Sequence, residues 1–467
     1  MIRNKYKNYI FIIMILVSLG SFFVVLLKNN NMYSNFLCIL PVINMFFSMV
    51  YICIFNKRNI NIGSLIIHVS FFIRLTISPL LIVMGDYFER AGIALNYDKA
   101  IMYMVYEYAL VMFTMIFWEK KFKKTRQIQS FSIDNISFNK NTKIIIMILI
   151  LISTAVIVRY PSILNYFRIG FFDDTETNNW YINYYKAFNE IPSTIFYLTT
   201  WTLVLLKYIY VLGIIMFLKK SKLKGKILYS ILIVGISLII NTSTLSDSLY
   251  FAIIYFLLLM ELYKEKYKTF IKMLAISLIF FVGFGLFYMS VMRHNNEDIY
   301  FTLSKTSMAY FSGINNVARA LEIENYDTFE IMKGDFLRSI PLLKGFFVDL
   351  TRTDTVFNQY IGDKYESQIT PTLGQSYLYF GTILSPLLSC IFTMSTVILE
   401  HKISMEEKLD KRFLLYLLII RCACVPVMYN GYIFLIGIFN AWVPLKILFW
   451  FNNKENKEDK NENVNIL

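Results

Sequence analysis

The sequence predicts an all-α polytopic membrane protein with about twelve transmembrane helices. Three observations carry this. The 467 residues are 57% hydrophobic, with a mean hydropathy of +0.52. Apolar runs of roughly 15 to 25 residues, each close to the thickness of a bilayer, recur from end to end. Lysine and arginine are distributed unevenly between alternate connecting segments, as the positive-inside rule requires.

In chain order the predicted spans are 9–27, 36–55, 64–84, 100–118, 144–158, 195–218, 227–242, 245–260, 273–291, 373–399, 413–428 and 431–451. The first is read as retained, because "SLGSFFVVLL" continues the apolar run where a signal peptide would offer a small-residue cleavage site. With a cytoplasmic N-terminus, the inner segments hold 28 Lys and Arg in 90 residues, and the outer segments hold 14 in 140. "EKKFKKTR" and "KKSKLKGK" are thus topology anchors. The domain plan is residues 1–291 as nine spans with an outer loop at 159–194, residues 292–372 as a large extracytoplasmic loop, residues 373–451 as three further spans, and a disordered cytoplasmic tail at 452–467. Within the large loop, 300–324 has helical apolar spacing, and "GDFLRSIPLLKGFF" (334–347) reads as a short amphipathic helix lying on the membrane. A loop this long between tight spans is usually functional.

The net charge of +14 follows the topology and does not point to nucleic acid. Cys38, Cys53, Cys390, Cys422 and Cys424 all lie in apolar spans, where none suits an external disulfide. No metal-ligand spacing is present. There is no P-loop, no dinucleotide-binding G-x-G-x-x-G and no G-x-S-x-G, which removes support for ATP-driven transport and hydrolase chemistry. No cofactor is expected. Usage rich in Ile, Asn, Lys and Tyr points to a bacterium with a low-GC genome.

The two cations divide differently between the faces. Inner segments carry 4 Arg and 24 Lys, whereas outer segments carry 7 of each. Arginine offers a planar fork of donors matched to phosphate and carboxylate, and it stays charged in apolar surroundings. Arg159, Arg168, Arg293, Arg319, Arg338 and Arg352 are therefore candidates for an outer anionic ligand; pairing with acids in folded loops is the alternative for each. Arg74 lies in the middle of a span, where a charge costs about 2.5–3.5 kcal/mol on insertion scales. It faces either a cavity open to the outer leaflet or a buried partner such as Asp86, Glu107 or a backbone carbonyl. Asp173–Asp174 fit a solvated loop better than a metal site. His294 is a candidate general base, or a solvated surface residue.

The stretch "FNQYIGDKYESQITPTLGQSYLYFGTILSPLL" (357–388) resembles the end of the large outer loop, and the span after it, in Wzy-type polymerases of O-antigen and capsule repeat units. "IRLTISPLLIVMGDY" (73–87), "AYFSGINNVARAL" (309–321) and "RYPSILNYFRIG" (159–170), with Arg159 and Gly170 in an Arg-x10-Gly spacing, agree with it. The large loop has no clean second copy of that spacing. The resemblance implies an architecture like that of the glycosyltransferase C class. It implies a metal-independent enzyme that acts on undecaprenyl-diphosphate-linked oligosaccharides at the outer face. A flippase and a chain-length regulator are its implied partners. On this reading His294, Asp335, Arg293 and Arg338 are the catalytic candidates, with Asp349 and Glu366 as further candidate bases, and Arg74, Arg159, Arg168, Arg319, Arg352, Gln375 and Tyr377 bind substrate or diphosphate; Gln375, Tyr377 and Tyr379 would meet sugar hydroxyls, and helix packing is the alternative for each tyrosine. Two rivals stay open. A glycan ligase would share the topology, and "RHNN" (293–296) begins like its loop motif, but position 305 is Lys where Gly is expected. A lipid-linked oligosaccharide flippase also fits twelve spans, although it should have short outer loops.

Overall fold

The computed structural model describes residues 4–28, 34–55, 60–85, 96–122, 140–169, 190–242, 245–263, 266, 299–324, 326–341, 343–362 and 368–452. The predicted span 273–291, Asp173–Asp174, Arg293, His294, Glu366 and nearly all of the tail lie outside them.

The architecture is helical. Among the described residues, eight helices are long and apolar enough to cross a membrane: Tyr6–Lys28, Asn35–Phe55, Ile62–Met84, Tyr97–Lys121, Lys140–Arg159, Thr194–Lys220, Leu387–Met405 and Gly431–Asn452. Two shorter apolar helices span Lys226–Ser237 and Tyr250–Leu262. In the labels used below, α1 is Asn4–Lys28, α2 Ile39–Phe55, α3 Ile62–Phe72, α4 Ser78–Met84, α5 Tyr97–Lys121, α6 Lys140–Arg159, α7 Ser193–Lys220, α8 Lys226–Ile239 and α9 Leu245–Leu262. The helices that follow are α10 Ile299–Tyr310, α11 Ile314–Leu321, α12 Thr328–Leu337, α13 Thr353–Tyr360, α14 Thr372–Phe380, α15 Leu387–Met405, α16 Leu409–Met428 and α17 Gly431–Gly437. Two three-residue strands, Phe167–Ile169 and Ile240–Thr242, pair antiparallel, with Arg168 opposite Asn241.

Two hydrophobic cores share one helix. The first is built from α1–α5 with α10, α11 and α15. The second joins α7–α9 to the last helix. The helix α16 contributes Ala423 and Val427 to the first and Leu409, Phe413, Leu417 and Ile420 to the second. It carries Asp410, Lys411, Arg412 and Arg421 yet is buried through most of its length. Arg412 is held by both oxygens of Glu261 from α9, and it also donates to the Ile403 and Glu406 carbonyls at 2.7 and 2.8 Å.

The sequence expectations need three corrections. The run 373–399 is not one span. Gly381 adopts a left-handed φ of +75° and ends α14; Pro386 caps α15, and turns fill 381–386. The intervening residues are apolar, so hydropathy alone runs straight across the break. Second, 334–347 is not one helix: α12 stops at Leu337, and turns follow. Third, the run 227–242 ends in a strand after Ile239.

The helices α10 and α11 pack into the bundle, α10 against α4 and α11 against α5 and α14. The chain reverses between them at Ser312, a non-glycine residue at φ +46°. A π-helical turn, Ile73–Ile77, interrupts the α3–α4 path and carries Arg74. Such turns recur at functional or constrained positions.

At the end of the bundle where α3 begins, two acids converge on one serine. The Ser64 hydroxyl lies 2.7 Å from Glu119 Oε1 and 3.0 Å from Glu400 Oε2, and Glu400 Oε1 accepts from the Gly63 N–H at 2.6 Å. Tyr51 donates to Glu119 at 2.9 Å. These contacts tie α2, α3, α5 and α15 together. Ser64→Ala strands hydrogen-bonding capacity on two buried acids and should destabilise the protein by about 1–3 kcal/mol. Thermal unfolding in detergent, compared with the wild type, measures that loss; an unchanged midpoint would show that the node contributes nothing.

Candidate active site

The site is assembled by α12–α14 and the break between α16 and α17. Asp327 caps α12, accepting the Phe329 and Glu330 N–H groups at 2.8 and 3.1 Å. Asp335 lies one turn before the end of the helix and is 2% exposed. Its neighbour Gly334 allows the chain at 351 to come close, because a Cβ there would stand 1.9 Å from the Thr351 carbonyl oxygen. That approach brings the first residue of α13 onto the carboxylate. Thr353 donates its N–H to Asp335 Oδ1 at 3.0 Å and its hydroxyl to Oδ2 at 2.5 Å. From α14, Gln375 Nε2 donates to Oδ2 at 2.9 Å, and the Tyr379 hydroxyl donates to the same oxygen. Four donors from two helices thus converge on one buried carboxyl.

Asp354 follows in the first turn of α13, where the helix dipole favours an acid. Its Oδ1 accepts the Thr370 N–H at 2.9 Å and Asn430 Nδ2 at 2.8 Å. The Thr370 hydroxyl also stands beside this carboxyl and favours its charged form. Burial foremost, and then the charge of Asp335, push the Asp354 carboxyl up to about 6; the Thr370 N–H and Arg352 oppose them. Two amides connect this pair to the membrane helices. Asn430 caps α17, its Oδ1 accepting the Ile433 N–H at 3.0 Å. Gln375 Oε1 accepts the Gly431 N–H at 2.7 Å.

Two cations flank the pair. The Arg352 guanidinium sits 4.8 Å from the centroid of the Tyr432 ring. Arg338, the C-cap of α12, donates to the Leu350 carbonyl at 2.8 Å and acts electrostatically on the same tyrosine.

Directly after Arg338 the chain lines an apolar cavity of about 480 Å³. Ile340, Pro341 and Phe346 line it together with Tyr197 and Trp201 of α7 and Leu149 of α6. Phe439, Val443, Ile447 and Phe451 of the last helix, spaced four apart, line it over twelve residues, which is about 18 Å of helix at 1.5 Å per residue. Phe336, next to Asp335, meets Phe439 edge-on with centroids 6.3 Å apart. Lys344 Nζ stands 4.7 Å from the Tyr197 ring centroid. The cavity lining and Asp335 therefore share the α12–Phe346 segment.

Of the residues singled out in the sequence, the structure brings together Asp335, Arg338, Arg352 and Gln375, with Tyr379. Arg74 is buried against an acid. It is 1% exposed, with Nη1 2.7 Å from Glu107 Oε2 and Nε 2.9 Å from the Ser312 carbonyl. The Glu107 and backbone-carbonyl alternative thus holds, and Ser389 completes it by donating to Glu107 Oε1 at 2.5 Å. Tyr377 packs against Tyr103 and under Lys99. Arg319 is buried in α11, within electrostatic reach of Tyr360. Arg159 is exposed at the end of α6, beside Tyr160. Arg168 lies in the short strand pair. No family model, no curated protein and no solved structure matches the chain.

Sequence reasoning missed Asp354, Thr353, Thr370 and Asn430. Two signals pointed to them. "TRTDT" places an acid just inside a helix start, and "YNG" sets a polar cap between two apolar runs.

Proposed function

We propose that this protein is a membrane glycosyltransferase that polymerises undecaprenyl-diphosphate-linked oligosaccharide repeat units into surface polysaccharide on the outer face of a bacterial cytoplasmic membrane. The observation that carries the reading is the continuity of one segment: it holds the buried Asp335, then Arg338, then residues 340–346 that line an apolar cavity. The chain of the lipid lies in the cavity. Arg338, Arg352 and Lys344 meet the diphosphate, whose developing negative charge is the main obstacle to departure, and fixed cations in a half-apolar site stabilise such charge strongly. The sequence resemblance to Wzy-type polymerases supports the same reading. No metal and no nucleotide sugar is needed for this chemistry.

Deletion of the gene tests it. A polymerase leaves single repeat units at the surface and no ladder on a glycan gel. Full-length polymer stranded on its lipid indicates a ligase instead, and single units trapped on the inner leaflet indicate a flippase. A second test addresses the cavity. Val443→Trp fills space among Trp201, Phe439 and Ile447 and should shorten or abolish the ladder while the protein stays in the membrane at wild-type abundance. A normal ladder from that variant would separate the cavity from the activity.

A further inference from the structure

The helix α12 is inside out for a segment surrounded by water. Phe329, Met332 and Phe336 follow one another at three and four residues, the spacing of a single helix face. All three are exposed, Phe329 to 76%. The buried residues of the helix are Ile331, Gly334 and Asp335. The acid is thus on the protein side and the aromatic rings are on the outside. Past the end of the helix, Phe346 is 82% and Val348 58% exposed. Apolar surface on this scale marks an interaction site.

We propose that the segment from Phe329 to Val348 is seated in the outer leaflet of the bilayer, and that the apolar cavity beside it takes its lipid chain sideways from that leaflet. The seating stands without the polymerase reading; only the choice of leaflet rests on the topology that goes with it.

Three observations favour lipid as the occupant. The first is continuity with the spanning surface. Phe336 meets Phe439, and Phe439 begins the stripe of Val443, Ile447 and Phe451 on a helix long and apolar enough to cross a membrane. The apolar face of α12 therefore runs into a surface that lipid covers. The second is the reach of the cavity. Leu198, Phe346, Ile447 and Phe451 all line it, and all four are exposed. Its lining therefore extends to the flank of the bundle. The third is charge. The acids of the segment are turned to internal use: Asp335 is buried among its donors, and Glu330 accepts the Thr351 N–H at 3.2 Å and hydroxyl at 2.7 Å. Lys333 stays exposed beside the apolar face. At an interface such a lysine lays its stem along apolar surface and carries its ammonium to the phosphates. Arg338 and Lys344 follow on the same segment, and the exposed Asp349 comes directly after it. An apolar face edged with cations is the pattern of an interfacial helix. Seated in this way, the segment holds Arg338 at the depth of the headgroup phosphates. A phosphate on an apolar chain then reaches the cation and the cavity together, without leaving the bilayer.

The test is photocrosslinking of the full-length protein in vesicles of phosphatidylethanolamine and phosphatidylglycerol. The probe p-benzoylphenylalanine replaces Phe329 or Phe346, one at a time. Irradiation joins it to whatever lies against it, and the intact mass identifies the product. Phe113, exposed on the spanning helix α5, is the lipid-facing control. Glu324, exposed beyond the end of α11, is the water-facing control. The expected result is a phospholipid adduct at both positions, in yields like those at Phe113 and several-fold above those at Glu324. Both replaced side chains are exposed, so the fold does not depend on them, and size exclusion of each variant checks that. A yield at Phe329 no higher than at Glu324 would place the face in water and overturn the proposal. A product of twice the chain's mass would overturn it in favour of contact between two copies. Lipid at Phe329 with none at Phe346 would overturn the sideways entry. The readout contains no glycan, so none of these failures is a failure of the polymerase reading, which the ladder alone decides.

Discussion

Replacing Arg74 with leucine should all but remove the folded protein from the membrane. Its guanidinium and the Glu107 carboxylate are 1% and 0% exposed and 2.7 Å apart. Two charges in such surroundings are costly to desolvate, and removing one partner leaves the other uncompensated, typically at about 3–5 kcal/mol. That is a large part of the stability of most proteins. Arg74→Lys keeps the charge but loses the fork, so one of the contacts to Glu107 and to the Ser312 carbonyl is given up, and the loss should be smaller. The double change Arg74→Leu with Glu107→Leu removes both charges and should recover abundance relative to either single change. Fluorescence-detected size exclusion of tagged variants reads the series. If the double variant is no better than the single ones, the pair is not the source of the loss.

Gly334→Ala should be nearly as damaging, for a steric reason. The new Cβ would stand 1.9 Å from the Thr351 carbonyl oxygen and 2.9 Å from its carbon. Both atoms are backbone, so no side-chain rotation relieves the clash. Overpacking typically costs about 1–3 kcal/mol, and more where backbone must shift. A displaced chain at 351 also carries Thr353 away from Asp335, which loses two of its four donors. The expected result is a protein that reaches the membrane but unfolds at a lower temperature and makes no ladder. Wild-type activity from this variant would mean that the α12–α13 contact is not needed by the site.

Much of the fold was legible because span formation depends on hydrophobicity over some twenty residues, a local quantity. The π-turn at Arg74 was not legible, since it depends on partners 33 and 238 residues away. The break at Gly381 was hidden for the opposite reason: an apolar turn between apolar helices gives hydropathy nothing to register. At the site, Asp335, Arg338, Arg352 and Gln375 stood out by residue type. Asp354 did not, because its partners Thr370 and Asn430 stand 16 and 76 residues away and meet it only in the fold. Arg74 was conspicuous for the right reason, an apolar neighbourhood, yet its two possible uses share that signal.

The Arg74 node also sets an order on manufacture. A chain grows at roughly 5–20 residues per second. The third span therefore enters the translocon with its cation bare until Glu107 follows, 33 residues later, after roughly 2–7 seconds at that rate. The carbonyl of Ser312 comes 238 residues behind Arg74, and Ser389 comes 282 residues behind Glu107. The third and fourth spans are thus best inserted as a hairpin whose charges cancel early. The node closes only when the segment that holds the acidic pair, and the helix beyond it, have been made.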